Sequence, residues 1–190
     1  MIFRWKLFSW FNLLTILFCL ALATSAWADH GEKLHRVKAA FIFNIAKFVS
    51  WPDSHSNQEH LNICFYRTDF IGKGFDSIVG RDVHGKVVKS STIQDLTHAK
   101  SCSILLISNE ELSQYQLDYA ASGPEVGLLT VADLTTDVKQ GLLLPGVLLS
   151  LVRRGSSIGF DVSLKQVHER KLQMSSQLLK LANILDKEDI

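Results

Sequence analysis

A continuous apolar run from Ser103 to Ser108 constrains the fold of this chain more than any other feature of its sequence. A strand with one face in water alternates apolar and polar residues, whereas a strand covered on both faces is apolar throughout. Gly127–Val131 has the same character and is followed by Asp133. A helical segment over Glu110–Ala121 separates the two runs, and this alternation predicts a parallel sheet with helices on both faces.

The segment before these runs also alternates between helix and strand. Apolar residues recur every three or four positions over Glu32–Val49, which predicts a helix. Trp51-Pro52 ends that helix, because a residue before proline avoids the helical conformation. Leu61–Tyr66 and Lys86–Ser91 are predicted strands.

The pattern changes after Gly141. Leu142–Val152 and Ile158–Leu164 are strand-like and flank a glycine-containing turn, which predicts a β-hairpin. A last helix is expected from about Ser163 to Leu185. The predicted fold class is therefore α/β, with a mostly parallel mixed sheet flanked by helices on both faces and a C-terminal β-hairpin followed by a terminal helix.

The N-terminus has the layout of a secretory signal. Arg4 and Lys6 precede a largely apolar stretch, and Ala26-Trp27-Ala28 is a small-residue cleavage site. We expect residues 1–28 to be a cleaved signal peptide and residues 29–190 to form a single secreted or periplasmic domain. An uncleaved membrane anchor is the alternative, since the apolar stretch is near the shortest length that spans a bilayer.

The charge balance and the histidines argue against several classes of ligand. Without Arg4 and Lys6 the chain has 18 basic and 19 acidic side chains, and no basic cluster that would neutralise nucleic-acid phosphates. The seven histidines lack the spacing of three or four that places two metal ligands on one helix face. We expect no cofactor, no metal and no nucleic acid.

Cys64 and Cys102 are the only cysteines beyond the predicted signal peptide. An even number of cysteines in an exported protein indicates a disulfide. Two free buried thiols are the alternative.

One motif matches the sequence pattern around the nucleophile of hydrolases. Gly155–Gly159 fits the G-x-S-x-G nucleophile elbow, and Ser157 is followed by Asp161 and His168 in triad order. The elbow requires a strand, a sharp turn and a helix, whereas here another strand-like run follows. We therefore interpret the motif as a hairpin turn. Gly72-Lys73-Gly74 is similarly interpreted as a turn before a short helix, because it lacks the full phosphate-loop pattern.

Two further positions are candidates for binding. Asp133 follows a buried strand at the sheet edge where open α/β proteins bind ligands, although it also suits capping of the next turn. Phe43 falls off the main apolar stripe of the first helix, so it is either part of the core or an exposed contact for a partner.

Several blocks together identify a resemblance. Val37–Pro52 closely resembles the opening helix of the YfiR-like family of periplasmic proteins, with its K-A-A and W-P elements. Cys102–Ile107, Leu128–Asp133 and Leu172–Ala182 resemble later blocks of that family in the same order. The similarity spans about residues 35 to 183.

The resemblance implies a non-enzymatic periplasmic regulator, often dimeric, that restrains an inner-membrane diguanylate cyclase and so limits cyclic di-GMP and biofilm formation. Cys64 and Cys102 match a disulfide of the family, whereas a second pair found in some members has no counterpart here. The family's Gly-Gly-Met stretch before the hairpin is Pro145-Gly146-Val147. The alternatives are a small-molecule-binding module and an accessory protein of a sensor histidine kinase. The residues expected to form the partner-binding surface are Phe43, Lys47, Trp51, Ser175 and Lys180.

Overall fold

The computed structural model of the protein describes residues 25–53, 58–136 and 141–186, with side chains from residue 31 onward. The predicted signal peptide lies outside these residues, apart from the backbone of its last four. None of the described helices combines the length and apolar character that crossing a membrane requires. The α-helices are α1 (Ser25–Ala46), α2 (Leu112–Ser122), α3 (Leu164–Glu169) and α4 (Ser176–Leu179), and two 3-10 helices cover Gly72–Ser77 and Leu96–Ser101.

Ten strands are described, and they form one large sheet and one small sheet. They are β1 (Val49–Ser50), β2 (His60–Tyr66), β3 (Asp82–Val83), β4 (Lys86–Ile93), β5 (Ile104–Ser108), β6 (Leu129–Leu134), β7 (Leu149–Arg154), β8 (Ser157–Val162), β9 (Gln173–Met174) and β10 (Asn183–Ile184). The large sheet has the order β10-β8-β7-β6-β5-β2-β4-β3. Its central strands are parallel, whereas β8 pairs antiparallel with β7 and β3 pairs antiparallel with β4. The mostly parallel mixed sheet predicted from the sequence is thus confirmed.

A hydrophobic core lies on each face of the large sheet. All residues of β5 and β6 are buried, as their apolar runs predicted. Alternate residues of β2 point to opposite faces: Ile63 and Phe65 join the cluster beneath α1, whereas Cys64 and Tyr66 join the cluster beneath α2 and the second 3-10 helix. Burial on both sides explains why the central strands carry almost no polar residues.

A close approach fixes α1 against the first 3-10 helix. A Cβ added at Gly74 would lie 2.5 Å from the Cβ of His35 on α1. Only glycine lets the two backbones come this near. Gly74 therefore serves helix packing, which agrees with the interpretation of its motif as a turn before a short helix.

The predicted strand over Leu142–Val152 is correct only in its last four residues, since β7 begins at Leu149. Gly146, within the predicted segment, has a φ of 77°, which interrupts an extended strand. The hairpin itself is confirmed, with Arg154 opposite Ser157 across the turn.

The long terminal helix predicted to reach Leu185 is wrong. The helix begins at Leu164, as predicted, and ends at Glu169. Lys171 has a φ of 57°, its N–H donates to His168 O, and Leu172 N–H donates to Val167 O. These two bonds form a Schellman motif, which closes the helix with a lysine where glycine is usual.

The chain beyond that motif returns to sheet structure. β9 pairs antiparallel with β1, and β10 adds a parallel strand beside β8 at the edge of the large sheet. Only the four-residue α4 remains helical between them.

Candidate functional site

Two segments that are far apart in the sequence pair in the small sheet. Val49 lies opposite Met174 and Ser50 opposite Gln173, and Ser175 N–H donates to Phe48 O at 2.9 Å. We call residues 47–51 and 173–175, which form β1, β9 and their flanks, the terminal junction. It brings together two blocks of the expected partner surface that are more than one hundred residues apart in sequence.

The expected contact residues differ in exposure. Lys47 and Lys180 are exposed, and Ser175 is half-buried, with its Oγ accepting a hydrogen bond from Leu178 N–H at the start of α4. Phe48, which the sequence analysis did not select, is 37% exposed.

Phe43 is not an exposed contact, and that expectation is wrong. Its side chain is 3% exposed and belongs to the core beneath α1. Lys47 Nζ lies 4.4 Å and Arg81 Cζ 4.2 Å from the centre of its ring. Both cations are favourably placed over the electron-rich ring face, so Phe43 supports the surface from below.

Trp51 stands on the wall of a cavity of about 310 Å³ beside the terminal junction. Its indole Nε1–H donates to Ser103 O at 3.2 Å, which fixes the ring against the start of β5. The cavity is lined by Val49, Ser50, Trp51, Leu61, Val83, His84, Lys86 and Ser103.

The turn between β3 and β4 closes one side of this cavity. His84 has a φ of 56° and Gly85 a φ of 78°, as a two-residue hairpin turn of type I′ requires. Asp82 Oδ1 accepts a hydrogen bond from Gly85 N–H at 3.1 Å. A histidine in this conformation is uncommon, and the turn places it on the cavity wall.

The cavity lies at the opposite edge of the sheet from Asp133. Leu61 and Lys86 stand near the beginnings of parallel strands and Ser103 just before β5, whereas Asp133 stands near the end of β6. The expectation of a ligand at the carboxyl ends of the strands is therefore not matched by the position of this cavity.

Asp133 itself is 6% exposed, and both of its carboxylate oxygens are engaged within the fold. Oδ2 accepts from Lys38 Nζ at 2.6 Å. Oδ1 accepts from Thr135 N–H at 3.1 Å and from Thr135 Oγ1–H at 2.7 Å. The bonds to Thr135 are the turn capping that the sequence offered as the alternative role.

Lys38 was missed by the sequence analysis, although a signal was present. It follows Leu34 by four residues and precedes Phe41 by three, so it lies on the apolar stripe of α1. A lysine is rarely buried unless it is paired, so this position indicates a buried carboxylate partner.

The disulfide between Cys64 and Cys102 is formed, as predicted. It joins β2 to the segment that leads into the neighbouring β5, with a Cα–Cα distance of 5.8 Å. Both side chains are fully buried in the core beneath α2.

The hydrolase-like motif is a hairpin turn, as interpreted. Ser157 begins β8 opposite Arg154, so no helix follows it. Asp161 is 2% exposed and accepts hydrogen bonds from Arg154, from Gly141 N–H and from Asn183 Nδ2–H. Its carboxylate thus ties the hairpin to β10.

No group of three or more His, Cys, Asp or Glu side chains in the described part of the chain is placed to hold a metal ion. A family model described as YfiR/HmsC-like matches residues 35–183. No curated protein matches the chain.

Proposed function

The chain belongs to the YfiR/HmsC-like family, and on that premise we propose that it is a non-enzymatic periplasmic regulator that represses a membrane-bound diguanylate cyclase by binding its periplasmic sensor region. The observation that carries the proposal is the family match over residues 35–183, which includes the terminal junction.

The terminal junction, together with Lys180 at the end of α4, is the surface that we propose for the partner. Lys47 and Lys180 are exposed cations, and Phe48 adds an apolar side chain that is 37% exposed. Interfaces of this kind combine an apolar centre with a charged rim. With Phe43 excluded from the exposed surface, the proposed contacts are Lys47, Trp51, Ser175 and Lys180.

Repression through binding is a coupling between two equilibria. The regulator must bind the inactive conformation of the sensor more tightly than the active one, and a signal must weaken that preference. A difference of about 5.5 kcal/mol switches such a sensor almost completely. Binding energy can supply this difference, and no catalytic step is required.

A charge-reversal experiment tests this surface. We expect the Lys47→Glu/Lys180→Glu variant, produced in a strain that lacks its own copy, to leave cyclic di-GMP as high as in the deletion strain. Lys100→Glu is the matched control, because Lys100 is an exposed lysine on the second 3-10 helix, on the opposite face of the sheet. Periplasmic protein amount and Tm must be equal for all variants. Normal cyclic di-GMP in the double variant would reject the surface formed by the terminal junction and Lys180 as the binding surface.

The cavity beside Trp51 favours a second candidate function, the binding of a small molecule. Its volume of about 310 Å³ lies at the lower end of the range of ligand sites, and apolar walls with a few polar groups are typical of them. A ligand specific for the native state raises the Tm. A panel of periplasmic metabolites should contain a compound that stabilises the wild-type protein and not the Val83→Trp variant, in which the new ring fills the cavity. No stabilisation across the panel would count against this function.

A further inference from the structure

The cavity beside Trp51 has a closed apolar floor and walls that solvent can reach. The floor consists of aliphatic side chains that are at most 3% exposed: Val49, Leu61 and Val83. On the walls, Trp51 and Lys86 are half-buried and His84 is exposed, so a ligand can touch these three side chains. The hydrogen bond from the Trp51 indole to Ser103 O holds the ring in place. A flat or extended apolar group can therefore lie against the indole.

The charges on the walls favour an anionic ligand. Among the described lining residues, His84 and Lys86 are basic and none is acidic. Asp82 adjoins the cavity in sequence, but its carboxylate accepts the Gly85 N–H within the turn. Imidazole and ammonium groups both donate N–H bonds, and a carboxylate is the acceptor that gains most from such donors.

The conformation of the β3–β4 turn does not account for His84. The first position of a type I′ turn, which His84 occupies with a φ of 56°, is usually asparagine, aspartate or glycine. Asparagine would form the turn at least as well, yet it would not carry an imidazole to the cavity wall. A residue that is unusual for its backbone conformation and stands in a cavity indicates a binding role.

We propose that this cavity binds small carboxylic acids with an apolar body, and that His84 recognises their carboxylate. The inference rests on the second candidate function, small-molecule binding beside Trp51. The apolar body lies against the Trp51 ring, and the carboxylate accepts hydrogen bonds from His84 and Lys86. A volume of about 310 Å³ limits the ligand to a small one.

Tryptophan fluorescence tests the proposal directly. Trp51 is the only tryptophan beyond residue 28, so in the protein purified from the periplasm its emission reports on this cavity. Titration with octanoate should shift the emission to the blue in a saturable manner, because the alkyl chain displaces water from the indole. 1-Octanol and octylammonium carry the same chain without a negative charge. They should bind about tenfold more weakly, since they lack the charge-assisted hydrogen bonds.

His84→Asn removes the imidazole while keeping a residue that the turn prefers. We expect it to weaken octanoate binding about tenfold, to leave 1-octanol binding unchanged, and to leave the Tm equal to or above that of the wild type. His98→Asn is the matched control, because His98 is an exposed histidine on the second 3-10 helix, on the opposite face of the sheet. It should bind octanoate as the wild type does.

The outcomes separate this inference from the function on which it rests. Equal affinity for the three probes, or octanoate binding that His84→Asn leaves unchanged, would overturn the assignment of carboxylates and leave an apolar small-molecule site. No response to any of the three probes would also overturn the assignment. The metabolite panel, compared between the wild type and Val83→Trp, then decides separately whether the cavity binds another class of compound.

Discussion

Lys38 and Asp133 form a buried ion pair that joins α1 to the end of β6, with 2.6 Å between Nζ and Oδ2. The side chains are 6% and 8% exposed. Each residue lies in a block that resembles the family, so the contact links two sequence motifs that are 95 residues apart. The pair explains why the first helix carries a lysine on its apolar face.

Removing one charge of this pair should destabilise the fold more than removing both charges. Lys38→Met leaves the Asp133 carboxylate buried and unpaired, and we expect the free energy of unfolding to fall by about 3 kcal/mol. Adding Asp133→Asn removes the remaining charge while keeping an oxygen that can accept from Thr135. Urea unfolding of both single variants and the double variant measures the coupling. Strictly additive losses would show that the two residues do not interact energetically.

The disulfide should contribute a large share of the stability. Its cysteines are 38 residues apart, and the chain-entropy relation gives about 4 kcal/mol for a closed loop of that length. We expect the Cys64→Ala/Cys102→Ala variant to lose about this amount in urea unfolding. Ser91→Ala is the control. Ser91 Oγ contacts Cys64 Sγ at 3.6 Å, and removing this hydroxyl leaves the disulfide intact. A loss below about 1 kcal/mol in the double variant would contradict the entropic account.

Gly146 should tolerate no side chain. Its φ of 77° already disfavours other residues, and the added Cβ would also meet the Tyr119 ring. Gly155 has a φ of 62° with open space around it, so Gly155→Ala carries only the backbone strain. We expect Gly146→Ala to lose about 1–3 kcal/mol more than Gly155→Ala in urea unfolding. Equal losses would mean that Tyr119 moves aside without cost.

Alkaline pH should weaken the fold through Tyr115. Burial raises the pKa of Tyr115 to about 12, whereas an unfolded tyrosine ionises near a pKa of about 10. A pKa that is higher in the folded state adds stability that is complete below about pH 10 and is lost as the pH rises to about 12.

Urea unfolding between pH 9 and about pH 12 measures this loss. The wild-type protein should lose up to about 2.7 kcal/mol more over this range than Tyr115→Phe, since two pKa units set the upper bound. In that variant Thr130 Oγ1–H still donates to Gly146 O, at 2.6 Å, so the carbonyl keeps a partner. Parallel pH profiles would show that Tyr115 ionises as it does in the unfolded chain.

Features that depend on which residues neighbour each other along the chain were predictable from the amino-acid sequence. The apolar runs gave the buried strands β5 and β6, and the glycine-containing turn gave the β7–β8 hairpin. The pairing of Cys64 with Cys102 followed from an even number of cysteines in a chain expected to be exported. These results rest on periodicity and local turn chemistry, both of which are properties of the sequence itself.

The prediction of a long terminal helix was wrong for a reason that the spacing of apolar residues does not reveal. Apolar residues continue at helical spacing to Leu185, yet Lys171 adopts a left-handed conformation and the Schellman bonds end α3. The edge of β8 and the exposed backbone of β1 then offer hydrogen-bond partners to the segment that follows. Backbone groups of this segment that a continued helix would have paired internally are bonded instead to β1 and β8.

What the sequence determined by itself was therefore the class of the fold, its central strands, the hairpin and the disulfide. Only the tertiary structure decided that Phe43 is buried, that Lys38 faces Asp133, and that the terminal junction brings Lys47 near Ser175. Periodicity tells which side chains share a face of a helix. Whether that face is covered depends on segments distant in sequence, such as the loop that places Arg81 over Phe43.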